Sequence, residues 1–233
     1  MTSKNRLLDA MSDVLLEKLS PHMIQVSLPQ GELLHSPGDS IKDVYFPLDC
    51  LLSITITMQD GSTVETGVVG NRDMLGVNAF MGTKETTQTE YVVQIPGSAI
   101  KVKALPLREE FDQNKELRDI LLEYTQALIA QLSQTTACNR LHVLEQRLAR
   151  WLLEAQIRVE SDELMLTQGF IAEMLGVRRA GVTQAAQKLQ ESGLIQYTRG
   201  RVQILDRGGL EAASCECFEA IQNEYNRLLG RKK

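Results

Sequence analysis

The 233-residue sequence predicts an α+β chain, with an antiparallel β-barrel or jelly roll first, a long helix next, and short helices with a hairpin last. Three observations lead there. Short alternating apolar runs separated by glycine-containing turns fill residues 24 to 104. Beyond Pro106, apolar residues recur at helical spacing instead. Finally, two helical apolar stripes flank Gly176 and give way to an alternating segment broken at Arg199-Gly200. The domain limits that follow are 1–105, 106–137 and 138–233.

Residues 4 to 20 carry Leu8, Leu15, Leu16 and Leu19 at helical spacing, and Pro21 ends the pattern. Leu52 to Met58 and Ser62 to Val69 alternate around Asp60-Gly61, a strong hairpin signal, and glycines at 31, 38, 61, 67, 70, 76, 82 and 97 space the strands regularly. In the long helix, Leu117, Leu121, Tyr124 and Leu128 follow steps of four and three, the seam of a two-stranded coiled coil, with Gln131 and Thr135 as polar successors. An internal core helix would carry the same short stripe. Cys138 to Ile157 reads as another amphipathic helix, with Leu141, Leu144, Leu148, Trp151 and Leu152 inward and Arg140, Arg147 and Arg150 outward. A last helix is expected from about Gly209 to Leu229, followed by the basic tail Arg231, Lys232 and Lys233.

Residues 166 to 205 are the most informative. Thr167 is placed to cap a helix whose apolar stripe is Phe170, Ile171, Met174 and Leu175. After Gly176, Val182, Ala185, Ala186 and Leu189 mark the buried face of a second helix. Its opposite face carries Arg179, Ala180, Thr183, Gln184 and Gln187, side chains that suit base edges of a B-DNA major groove. Leu194-Ile195 and Tyr197 to Leu205 then fit a two-stranded wing turning at Arg199-Gly200. From Arg178 to Arg201 five basic residues (Arg178, Arg179, Lys188, Arg199, Arg201) stand against the single acid Glu191, and a polyphosphate is the natural partner of such a patch.

The overall charge of −5 conceals a division. Residues 137–233 hold 14 Lys/Arg and 12 Asp/Glu, whereas the remainder holds 11 and 18, so acidity resides in the amino-terminal part. The start of the chain lacks a signal-peptide core, and the uncharged stretch from Tyr124 to Asn139 is laced with Gln, Thr and Ser, so a cytoplasmic protein without a membrane span is expected. Four scattered cysteines argue against a disulfide scaffold. Cys215 and Cys217, placed on one helix, would point about 200° apart, and His142 follows Cys138 by four residues with no further ligand in view, so no metal site is expected. The three histidines are dispersed, and no phosphate loop, nucleophile elbow or metal-hydrolase spacing occurs, which excludes the common enzyme classes.

The segment 166–205 resembles the winged helix-turn-helix of the bacterial Crp/Fnr superfamily, and the likeness extends over most of the chain. It implies a cyclic-nucleotide-binding-like sensor in residues 1–105, a dimerisation helix in 106–137 carrying Leu117, Leu121, Tyr124 and Leu128, and a DNA-binding domain in 138–233. It further implies a homodimer on a palindromic operator, contact with RNA polymerase, and no catalysis. Arg179, Thr183 and Gln184 would read bases; Thr167, Arg178, Gln187, Lys188, Arg199 and Arg201 complete the expected DNA contacts. Arg179-Ala180 and Gln184 depart from the Arg-Glu and later Arg of the cyclic-AMP-dependent activator, which implies a different operator. The amino-terminal cysteine group with which some fumarate-nitrate regulators hold an iron-sulfur cluster is missing.

In cyclic-nucleotide-binding relatives a Gly-Glu pair and, about eleven residues on, an arginine hold ribose and phosphate. Gly76-Val77 and Thr87-Gln88 stand at those positions here. Losing the cation removes a charge-assisted bond of about 1.5–3 kcal/mol, so cyclic AMP binding by that mode is not expected. Relatives that respond to cyclic dinucleotides make cyclic di-GMP a candidate effector, with Arg72, Lys84, Thr86 and Thr87 as its expected contacts; the bland reading of Arg72 and Lys84 is solvated loop charge. The rival to a DNA-binding regulator is a ligand- or redox-responsive signalling module whose winged domain meets another protein.

Overall fold

The computed structural model describes residues 4–82 and 86–230. Lys84 and the tail Arg231 to Lys233 lie outside them. The expected first helix is two: α1 (Arg6–Asp9), capped by Asn5, and α2 (Asp13–Leu19), capped by Ser12. Seven strands follow, namely β1 (Met23–Leu28), β2 (Leu33–His35), β3 (Asp43–Pro47), β4 (Leu51–Thr57), β5 (Thr63–Val69), β6 (Glu90–Ile95) and β7 (Gly97–Lys103). The predicted hairpin is present as β4 and β5, antiparallel around Gly61 at φ +82°.

The sheets do not close into the predicted barrel or jelly roll. They are two open antiparallel sheets, ordered β1-β7-β3 and β2-β6-β4-β5. Among the described residues up to Lys103, pairing outside these ladders is limited to the isolated bridges Ser40–Thr86 and Tyr45–Leu75. The edge strand β5 meets helices rather than another strand, so its edge is managed by cover instead of closure. Val44, Phe46, Leu52, Met74, Phe80, Tyr91 and Val93 fill the core, and Leu7, Leu8, Leu15 and Leu19 of the first two helices join it.

α3 (Ala104–Gln113) and α4 (Lys115–Leu141) replace the single predicted helix, because Asn114 adopts an extended conformation and its side chain caps α4 through the N–H groups of Glu116 and Leu117. Leu117, Leu121, Tyr124 and Leu128 are buried in the chain's own core, and the Tyr124 hydroxyl donates to the Met74 carbonyl at 2.7 Å. The seam expected to meet a partner therefore faces the sheets of its own chain. α4 runs through Cys138 to Leu141, and only after the extended His142 and Val143 does α5 (Leu144–Val159) begin.

α5 corrects the sequence reading again, since Arg147 and Arg150, expected outside, are buried along with Arg158. Arg158 Nε donates to Asp73 Oδ2 at 2.9 Å, Tyr225 donates to the other Asp73 oxygen at 2.8 Å, and Glu154 pairs with both Arg150 and Arg158. Trp151 Nε1 donates to Glu65 of β5 at 2.7 Å. Gly70 permits this approach, for a Cβ there would stand 2.2 Å from that of Arg158. Arg150, Glu154, Arg158 and Asp73 are thereby paired with opposite charge, which is the condition for tolerating them, while Arg147 donates to the Leu175 carbonyl.

The remaining elements are β8 (Glu163–Leu164), α6 (Gln168–Met174), α7 (Arg179–Glu191), β9 (Ile195–Thr198), β10 (Arg201–Ile204), α8 (Arg207–Ala213) and α9 (Cys217–Leu229). A second core unites Leu148, Leu152, Ile171, Leu175, Val182, Leu189, Ile195 and Val202. The expected last helix is divided between α8 and α9 at Ser214 to Glu216, and α9 lies along α4 with Ile221 and Tyr225 against Ala127. No helix among the described residues is long and apolar enough to cross a membrane.

Candidate nucleic-acid interface

The short helices form around the predicted stripes. Thr167 caps α6, its hydroxyl accepting from Phe170 N at 3.2 Å, and Gly176 turns the chain in the left-handed region at φ +61°. A side chain there would be strained by the backbone and would also crowd Val64 of β5, at 3.2 Å from its Cβ position. Val182, Ala185, Ala186 and Leu189 bury one face of α7. That burial leaves Arg179, Ala180, Thr183, Gln184 and Gln187 on the exposed face. Gln184 and Arg179 are thus open to a ligand without any rearrangement.

β9 and β10 pair antiparallel from Ile195–Ile204 to Thr198–Arg201, with Gly200 at φ +76° in the turn, and β8 adds a third strand through Val202–Leu164. Arg199 and Arg201 are exposed at this wing. A cleft of about 520 Å³ separates the wing tip from the starts of α6 and α7, lined by Thr167, Gln168, Arg179, Tyr197, Arg199 and Gly200. Its two arginines come from different elements and face one space, an arrangement suited to an anionic backbone.

The other predicted contacts are exposed but partly engaged. Lys188 pairs with Glu145, and Arg201 with Glu163 at 3.1 Å. Such exposed pairs are worth little, so giving them up to another anion would cost little. Gln187 donates to Glu191 at 2.8 Å, and the Thr183 hydroxyl lies 2.8 Å from Gln168 Oε1 and 3.1 Å from the Arg179 carbonyl. Gln168 and Tyr197 were not singled out from the sequence. Only the fold brings Gln168 beside Thr183 and both residues into the cleft; alternation places Tyr197 in the wing but does not show that it faces this space.

Of the expected effector contacts, the described Arg72, Thr86 and Thr87 do not line one common pocket. Arg72 is buried, with one guanidinium nitrogen donating to Gln222 at 2.6 Å and the group stacked 4.2 Å from the Tyr225 ring centre. Burial, aided by Arg158, lowers its pKa to about 10. Arg72 therefore serves the docking of α9 rather than standing as a solvated loop charge. Thr86 is exposed and bridges to Ser40, while Thr87 is buried, its hydroxyl 2.7 Å from that of Thr89. Val77 opens a short 3-10 turn and packs against the core.

The domain family described as the Crp-like helix-turn-helix matches residues 146–213, and the cyclic nucleotide-binding domain matches residues 25–114. Among solved structures, FixK2 from Bradyrhizobium japonicum is 16% identical with a TM-score of 0.71, over 83% of this chain and 98% of that one. A transcriptional regulator of the CRP family from Thermus thermophilus, TTHB099, is 17% identical at 0.67, over 81% and 96%. The c-di-GMP responsive global regulator CLP from Xanthomonas campestris is 16% identical at 0.65, over 84% and 100%. At these identities the likeness is one of fold. No curated protein sequence matches the chain.

Proposed function

The chain belongs to the Crp/Fnr-type transcription regulators, with a cyclic-nucleotide-binding-like sensor domain and a Crp-like helix-turn-helix domain, and from that premise we propose how it binds DNA and what controls it. Members of this family are transcription factors, not enzymes. Two copies acting in the cytoplasm lay α7 into successive major grooves of a palindromic operator, with half-sites on the order of 34 Å apart. Arg179, Thr183 and Gln184 read bases. Thr167, Arg178, Lys188, Arg199 and Arg201 hold phosphates, and Gln187 lies at the edge of the reading surface. The bound dimer presents its remaining surface to RNA polymerase.

One observation carries this reading: the polar face of α7 is exposed beside a cleft whose arginines come from both reading helix and wing. A rival in which the wing meets a protein has no comparable support in that surface, because arginines facing one cleft suit phosphate. Binding of genomic fragments at two salt concentrations tests it. Four phosphate-neutralising cations per copy predict affinity falling with a log–log slope of about −3 to −4 per bound copy. Salt-insensitive binding, or none at low salt, would contradict the assignment.

The effector we infer is a ligand other than cyclic AMP. Support comes from Val77 and Thr87, which offer neither a carboxylate for ribose nor a cation for phosphate. Cyclic di-GMP, named for the Xanthomonas relative, is the candidate to titrate first. A melting midpoint that rises with cyclic di-GMP and not with cyclic AMP supports it, and submicromolar cyclic AMP affinity refutes the whole inference.

A further inference from the structure

We propose that Cys138, His142, Cys215 and Cys217 bind a single thiophilic ion of the zinc class in tetrahedral coordination. No metal site is expected from sequence if Cys215 and Cys217 share a helix, where they would point apart. They do not, because Cys215 lies in the turn between α8 and α9 while Cys217 begins α9. That turn brings both thiols to the end of α4, where Cys138 occupies the last turn and His142 follows the helix.

The donor atoms all lie within 4.8 Å of one another. Cys138 and Cys215 sulfurs are 3.5 Å apart, and Cys217 sulfur is 3.5 Å from His142 Nδ1. Four ligands around one zinc, with Zn–S bonds near 2.3 Å, place sulfurs about 3.8 Å apart, so little movement is needed. A cluster of several irons would spread its ligands farther. All three cysteines are buried and reduced, and Cys₃His is an established donor set for structural zinc.

The surroundings fit as well. His142 Nε2 is 3.2 Å from the Glu216 carboxylate, which orients the ring so that Nδ1 faces the thiols, the outer partner that metal-bound histidines usually have. Gln134 donates to the Cys217 sulfur at 3.1 Å, as suits a thiolate. Three thiolates, an imidazole and a divalent ion leave one negative charge in a largely closed setting. The consequence is mechanical. The ion would tie the α4–α5 junction, where the DNA-binding module departs, to the start of α9, fixing the angle at His142 and Val143.

The test uses the full-length protein, stripped by chelator under reducing, anaerobic conditions and titrated with cobalt(II), then zinc(II). Expected are one equivalent of cobalt per chain with the strong visible bands of a tetrahedral thiolate site, displacement by one equivalent of zinc, and zinc protection of three thiols from alkylation. Cys217→Ser and His142→Ala should weaken cobalt binding by at least about tenfold, and Glu216→Gln, whose side chain is exposed, by about tenfold with the fold intact by circular dichroism. Cys50→Ser, remote from the site, should change nothing. Absence of the thiolate bands, thiol reactivity indifferent to zinc, equal binding by Cys217→Ser, or iron with acid-labile sulfide in anaerobically isolated protein would overturn the proposal.

Discussion

Gln184 and Arg179 stand free on α7 because every third or fourth residue around them is spent on the core. Their face was legible from sequence for that reason, whereas the buried arginines of α5 were not. Composition places Arg outside by default, and only a partner distant in sequence, such as Asp73 for Arg158, reverses it. Replacing Gln184 with Ala should cost about 1–3 kcal/mol of discrimination between the preferred site and one mismatched at the contacted base, with nonspecific affinity unchanged. Competition binding with both duplexes reads this, and unaltered discrimination would displace Gln184 from the reading role. Glu65 gives a second prediction. Burial pushes its carboxyl up to about 7 from an unfolded 4.5, against the opposing pull of Ser53 and Trp151. The folded state then holds a proton that the unfolded chain has lost between those values. Stability from this group is complete below about 4.5 and falls by about 3 kcal/mol as pH rises through 7. Glu65→Gln should flatten that decline in denaturation midpoints measured from pH 4.5 to 8, and an unchanged profile would assign it elsewhere.

α4 carries two stripes, and the sequence displayed the more apolar one. Leu117, Leu121, Tyr124 and Leu128 go to the chain's own core, while Leu122, Gln126, Ile129 and Ser133 form an outer row at steps of four, three and four. Leu122 and Ile129 are 49% and 54% exposed. Periodicity revealed that a seam exists but not which surface it meets, because a partner helix and a sheet of the same chain reward the same spacing. The outer row is the surface we assign to pairing. Replacing Leu122 and Ile129 together with Glu should yield monomers in light scattering and reduce operator affinity, with the circular dichroism of the folded chain retained and the melting midpoint no longer dependent on protein concentration. Leu121→Ala should instead cost about 2–5 kcal/mol of stability and leave the oligomeric state alone. Interchanged results would return the seam to its sequence assignment. The turn ahead of α9 shows the same limit on a smaller scale, since Cys-Glu-Cys reads as one helical segment until Ser214 to Glu216 break it.

Across the molecule, sensor and reader are joined by α5, whose Arg158 reaches Asp73 and whose Trp151 reaches Glu65, and by Gly176 of the helix-turn-helix against Val64. Strand spacing predicted the strands, but whether sheets close depends on pairing between distant edges, and here helices cover β5. Arg158→Met should destabilise the protein by about 3–5 kcal/mol in urea denaturation, because Asp73 and Glu154 are left buried without that cation. A loss below about 1 kcal/mol would show the pair to be incidental. Footprinting on a duplex selected by the purified protein tests most directly whether two copies place α7 in successive grooves. Two protected half-sites related by a twofold axis and separated by about one helical turn, weakened together by Arg179→Ala, are the predicted result. A single asymmetric footprint, or protection indifferent to Arg179, would contradict it.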